Sequence, residues 1–325
     1  MKLNKILIGF RLGLGDLILL TPILRSLRDT YPDSHITILV RPEFMEVAER
    51  LPYINNAIFF DKHTTSMRKI IYELYKMKYD AIFCLDNLYR TAVISFFARI
   101  PIRAGFNGDH GIFLTHSVPR LKNLDEIYET QKNAYAITES LGIPITGDLT
   151  NLEFPLRNKQ EQATAQELLD GIGDHIVIAP FSAGANKDWP LDYYQDLINQ
   201  LHKNITITIV VVGAKKQESE QLVNVINLTG RTTIMESAEI ISRAKLFIGG
   251  CCANLHIASA VKTPAIGLYG PTSIKRWAPK HTTEIIENLP PCSPCFMKKV
   301  ACNKNICMTT ISVESVLDAS LKYLR

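Results

Sequence analysis

The chain has 325 residues, of which 46% are hydrophobic and 21% charged, with a net charge of +4. That length suits two domains, each large enough to bury a core. The mild charge argues against a nucleic-acid partner, and no apolar run reaches the ~20 residues that span a bilayer. Lys2 and Lys5 precede an apolar run, but Arg11 and Asp16 interrupt it and no small-residue cleavage site closes it. The expected compartment is therefore the cytoplasm. The spacing of the seven cysteines is not that of a secreted disulfide framework.

Short, β-branched apolar runs alternate with amphipathic segments throughout. In the first half the predicted strands are Lys5–Phe10, His35–Val40, Asn56–Phe60, Asp80–Asp86 and Ile102–Phe106, with helices over Leu17–Thr30 and Ser66–Lys76. The second half repeats the plan. Its predicted strands are His175–Pro180, Ile205–Val212, Leu246–Gly250 and Ala265–Tyr269. Its predicted helices are Lys159–Leu169, Asp192–His202, Gln217–Val225, Ala238–Ala244, Leu255–Val261 and Val313–Leu324. Near-continuously apolar strands indicate parallel sheets covered on both faces. Gly142–Asn158, with Pro144, Gly147 and Pro155, reads as a linker. The predicted fold class is α/β, with two Rossmann-like domains, 1–155 and 156–325, facing a central cleft.

In doubly wound sheets, ligands bind beyond the carboxyl ends of the strands. The loop after the first strand is Arg11-Leu12-Gly13-Leu14-Gly15-Asp16. It is a poor dinucleotide fingerprint, because the third glycine would fall at Ile18. Asp16 suits a general base on a sugar hydroxyl, or else a simple first-turn acid. In the second half, Phe181–Pro190 contains Ser182 and Lys187, small residues and a cation suited to a diphosphate. An exposed loop lysine is the alternative. Gly249-Gly250-Cys251-Cys252-Ala253-Asn254-Leu255-His256 runs from a strand into a helix, a second anion-binding start. His256 fits either that site or a structural hydrogen bond.

Together these segments resemble family 9 glycosyltransferases, the bacterial ADP-heptose:lipopolysaccharide heptosyltransferases. The resemblance rests on Gly15-Asp16-Leu17 with Leu20-Thr21-Pro22, Arg103-Ala104-Gly105-Phe106, Lys187-Asp188-Trp189-Pro190, Leu255-His256-Ile257-Ala258, Gly270-Pro271-Thr272 and the cysteine-rich tail. It implies a GT-B fold and an inverting, metal-independent transfer of heptose from ADP-heptose to a lipopolysaccharide inner-core sugar. It implies acceptor contacts at Gly13 and Arg103, Asp16 as base, and Lys187 at the leaving group. It further implies donor contacts at Ser182, Met235, Cys251, Cys252, Ala253, His256 and one of Gln217 or Glu218. No cofactor is required, and the glycolipid acceptor implies peripheral contact with the inner face of the inner membrane.

One departure bears on the sugar. An Asp-Ser/Thr-Gly triplet is usual in the family where this chain has Cys251-Cys252-Ala253. The alternative readings are a glycosyltransferase using another nucleotide sugar, or a degenerate nucleotide-sugar-binding protein. Cys292, Cys295, Cys302 and Cys307 have spacing compatible with a structural zinc or iron site, free thiols being the other reading. Lys62, Arg68, Lys69, Lys76, Lys78 and Arg90 suggest a basic rim or a solvated face.

Overall fold

The computed structural model describes residues 1–61, 63–108, 111–214, 217–281, 283–295 and 305–325. The chain divides into two units, Met1–Thr150 and Asn151–Arg325. The first unit runs β1 (Lys5–Gly9), α1 (Leu14–Leu19), α2 (Thr21–Thr30), β2 (His35–Val40), α3 (Met45–Glu49), β3 (Asn56–Phe59) and α4 (Met67–Met77). It continues through β4 (Ala81–Cys84), α5 (Tyr89–Phe97), β5 (Ile102–Phe106), β6 (His116–Val118) and α6 (Glu129–Leu141). The sheet order is β3-β2-β1-β4-β5-β6 and every pairing is parallel.

The second unit comprises α7 (Lys159–Leu168), β7 (His175–Ala179), α8 (Leu191–Asn204), β8 (Thr208–Val211), β9 (Ile226–Asn227), α9 (Ile234–Ser242) and β10 (Leu246–Gly250). It ends with α10 (Ala253–Ala260), β11 (Ala265–Tyr269), α11 (Ile274–Trp277), β12 (Thr283–Glu287), α12 (Ile306–Thr309) and α13 (Val313–Leu324). Its order is β12-β11-β10-β7-β8-β9, again all parallel. The two units therefore share one topology. In each, successive strands are added on one side of the first strand, then the chain crosses to the other side. That crossing makes a switch point between β1 and β4, and another between β7 and β10.

The central strands are apolar on both faces because helices cover both faces. Ile6, Leu7 and Ile8 of β1, and Ile176, Val177 and Ile178 of β7, are fully buried. In the second unit α8 and α13 pack on the same side, with Trp189, Tyr194, Leu197, Met308 and Val316 in one cluster.

Several elements differ from the sequence reading. Leu17–Thr30 is two helices, broken at Leu20, and the first begins earlier, at Leu14. Pro22 is the cause: it has no N–H to donate to the carbonyl four residues back, Ile18. The Thr21 hydroxyl donates to that carbonyl instead, at 2.7 Å. Gln217–Val225 contains only a 3-10 turn over Gln217–Gln221. Edge strands β6, β9 and β12 are short or polar and carry no apolar run. Helix α6 was not foreseen because its buried face includes Glu129, Thr130 and Asn133, which hide the helical period.

Replacing Thr21 by Val should remove a buried hydrogen bond and lower stability by about 1 kcal/mol. A urea unfolding curve with an unchanged midpoint would rule out that role for the hydroxyl.

Candidate functional site

At the first switch point, the chain leaves β1 through Phe10 and turns at Arg11–Gly13 into α1. Asp86, just beyond β4, reaches across. Its carboxylate accepts from the Arg11 N–H at 3.2 Å, the Leu88 N–H at 3.1 Å and the Thr91 hydroxyl at 2.7 Å. Burial outweighs these donors and pushes Asp86 up to about 6.

Gly13 caps α1, and its N–H donates to Asp16 Oδ2 at 3.1 Å. A Cβ on Gly13 would sit 3.0 Å from that oxygen, so glycine permits the close approach. Asp16 is half-buried. Burial, then the Glu129 carboxylate, raise it above the ordinary carboxylate range, while the Gly13 bond and Lys132 oppose the rise. Glu129 and Lys132, on the first turn of α6, are themselves a buried ion pair. A carboxylate kept more basic than usual, yet not sealed from solvent, is suited to accept a proton.

Beside this turn lies a pocket of about 870 Å³ at the carboxyl ends of β1 to β4. Arg11, Arg41, His63 and Arg90 line it, with Glu43, Asp61, Phe60 and Tyr89. The Arg11 guanidinium stacks over Phe60 at 4.5 Å, and its Nε and Nη1 are buried without a partner. Arg41 is paired with Glu43 at 2.5 Å. The sequence reading had placed Arg11 in the first loop and Arg90 in its basic rim, without joining the two. Arg103 lines a different hollow: its Nε donates to the Phe113 carbonyl at 2.6 Å and its Nη1 to that of Ile100.

At the second switch point, the loop after β7 is tied into itself. The Ser182 N–H donates to Asp188 Oδ1 at 2.7 Å, and the Ser182 hydroxyl to the Gly184 carbonyl at 2.8 Å. Trp189 is anchored in the core, its indole N–H donating to the Ile311 carbonyl at 3.0 Å. Pro190 then caps α8. These anchors aim Lys187, whose Nζ donates to the Cys251 carbonyl at 3.1 Å, beyond the end of β10.

Cys252 caps α10, so that helix opens beside Lys187 and turns its N-terminus toward it. His256 is buried in α10, and its Nδ1 has no partner. Burial, aided by the Lys187 charge, holds its pKa down at about 4, leaving a neutral imidazole at pH 7. Burial pushes Cys252 up to about 11, so this thiol stays protonated. The second unit thus gathers an ammonium, a helix start and a neutral histidine, an arrangement that suits an anion.

The model of glycosyltransferase family 9 (heptosyltransferase) matches residues 67–306. The chain belongs to this family. Lipopolysaccharide heptosyltransferase 3 of Escherichia coli is 27% identical to it, over 82% of this chain and 83% of its own length. Among solved structures, Escherichia coli ADP-heptose lps heptosyltransferase II aligns with a TM-score of 0.80 at 21% identity, covering 98% of both chains. A family 9 glycosyltransferase from Veillonella parvula aligns at 0.82 and 22% identity, covering 99% of this chain and 97% of that one. The protein is a glycosyltransferase with the GT-B fold.

The remaining residues singled out in this glycosyltransferase are dispersed. Met235 is fully buried in α9, Ala253 opens α10, and Glu218 is exposed on the turn after β8. The backbone of Gln217 lies on the same turn, but its side chain is outside the described residues. Cys302 and Lys62 are also outside them. Cys292 is exposed, Cys295 half-buried and Cys307 buried, and among the described residues no group of His, Cys, Asp and Glu is placed to hold a metal.

Asp86 carries a pH prediction. Its folded pKa, about 6, exceeds the unfolded value of 3.8, so the native state binds the proton more tightly. Its contribution is present below the unfolded value and is lost as pH rises through 6, roughly 3 kcal/mol in all. Wild type minus Asp86→Asn should show that loss between pH 4 and 7, and a flat difference curve would contradict it.

Gly250 gives a second prediction. A Cβ there would meet the Lys187 carbonyl at 2.9 Å. Gly250→Ala should therefore displace the Lys187 loop, costing roughly 1–3 kcal/mol of stability. An unchanged urea midpoint would show that the loop yields freely.

Proposed function

We propose that this glycosyltransferase moves heptose from ADP-heptose to an acidic inner-core sugar of lipopolysaccharide, by a single inverting displacement that needs no metal. The observation that carries this reading is Lys187. Its ammonium is held on the Cys251 carbonyl where α10 opens, and that is its one hydrogen bond among the described residues. A fixed cation beside a helix N-terminus stabilises the charge that develops on a departing diphosphate. Ser182, Cys252, Ala253 and the unpartnered His256 Nδ1 line up with that role.

Asp16 takes the acceptor proton. Its raised pKa makes it a stronger base than an exposed aspartate. The acceptor hydroxyl attacks the anomeric carbon as the bond to the diphosphate oxygen breaks, so configuration inverts. The pocket of Arg11, Arg41 and Arg90 receives an anionic group of the acceptor, a carboxylate or phosphate. Cys251 offers its carbonyl to Lys187, a contribution that is independent of its side chain.

The test is product mass after incubation with ADP-heptose and a truncated lipopolysaccharide acceptor. Asp16→Asn should abolish transfer while ADP still binds, and near-normal turnover would remove Asp16 as the base. Lys187→Ala should lower kcat by roughly 10²–10³-fold, as loss of an oxyanion donor does. Retained ADP binding without turnover of any nucleotide sugar would make the chain a binding protein.

A further inference from the structure

The first unit carries an aromatic and basic face that plays no part in the chemistry above. On α4, Tyr72 and Tyr75 are 57% and 49% exposed, and on α5, Phe96 and Phe97 are 42% and 57% exposed. The α5 rings form one cluster, linked to α4 through an arginine. Phe96 meets Phe97 at 5.3 Å and Phe113 at 5.5 Å, and the Arg99 guanidinium lies 5.9 Å from the Tyr75 ring, joining the two helices. Ile112, beside Phe113, is 83% exposed. A hollow of about 390 Å³ opens between Phe96, Phe97, Arg99 and Arg103.

The charges on this face have one prevailing sign. Arg68, Lys69, Lys76, Lys78 and Arg99 are exposed. The carboxylate among them on α4 is Glu73, 4.0 Å from Lys69. Asp80, just after α4, is occupied by the Asn4 and Lys5 N–H groups at 2.6 and 2.9 Å. The Lys76 ammonium lies over the Tyr72 ring, 4.3 Å from its centroid, so charge and aromatic surface share one spot on this face.

We propose that this α4–α5 face docks the enzyme on an anionic lipid bilayer. Exposed rings interleaved with lysine and arginine match the boundary between acyl chains and acidic headgroups. A protein partner fits less well, because the cores of protein interfaces are depleted in lysine. No described helix is long and apolar enough to cross a membrane, so attachment through this face is peripheral. The inference stands apart from the proposed transfer, since it needs neither donor nor acceptor.

The test is co-sedimentation of the full chain with vesicles of phosphatidylcholine alone, or of phosphatidylcholine mixed with phosphatidylglycerol. The chain should bind the mixed vesicles, and added salt should release it. The Phe97→Ser/Tyr75→Ser pair and the Lys69→Glu/Lys76→Glu pair should each lower the bound fraction by about tenfold, with far-UV circular dichroism and turnover of a soluble acceptor unchanged. No binding to mixed vesicles, equal binding to neutral ones, or variants that bind like the wild type would overturn the proposal. So would a dimer in sedimentation equilibrium that Phe97→Ser/Tyr75→Ser dissociates, because the face would then belong to a second copy of this chain.

Discussion

A parallel strand cannot be followed by its neighbour through a tight turn. The chain must travel back along a face of the sheet, so every strand ends at the same edge. In each unit that constraint collects all the outgoing loops on one side, and the switch in direction opens a gap between the first strand and the fourth. A side chain spans each gap. Asp86 accepts from the Arg11 N–H between β1 and β4, and Lys187 donates to the Cys251 carbonyl between β7 and β10. The remaining polar groups of each site are placed relative to these two ties.

The ties are rigid because their anchors are buried. Trp189 lies two residues beyond Lys187 and is fixed by packing and by the Ile311 carbonyl. Thr91, wholly buried on α5, holds Asp86 from below. Charges held in this way need little rearrangement when substrate charge develops, which is where electrostatic catalysis gains its advantage. The electrostatics differ between units. The first keeps a carboxylate more basic than normal, and the second keeps a cation beside a neutral histidine. That division suits the proton removal and leaving-group stabilisation proposed for this site.

The local parts of the site were legible in the sequence. Gly13 to Asp16, Ser182 to Lys187 and Cys251 to His256 are each a strand end followed by small residues and a helix start, so contiguous residues carry the signal. The arginine pocket was not legible. Arg11, Arg41 and Arg90 follow three different strands, and only the sheet order brings those loops together. Arg103 shows the converse. The family resemblance implies an acceptor contact there, while the fold ties its guanidinium to two backbone carbonyls and an aromatic ring.

Composition and periodicity alone determined two α/β units with parallel sheets, because strands covered on both faces must be apolar along their whole length. They also located the glycine-rich turn ending in Asp16 and the loop ending in Lys187. Tertiary structure alone decided the helix whose buried face carries Thr130 and the gathering of arginines around one pocket. The Thr130 hydroxyl donates to the Leu19 carbonyl, 111 residues away, and the arginines follow three different strands; a hydrophobic pattern has no term for partners that distant.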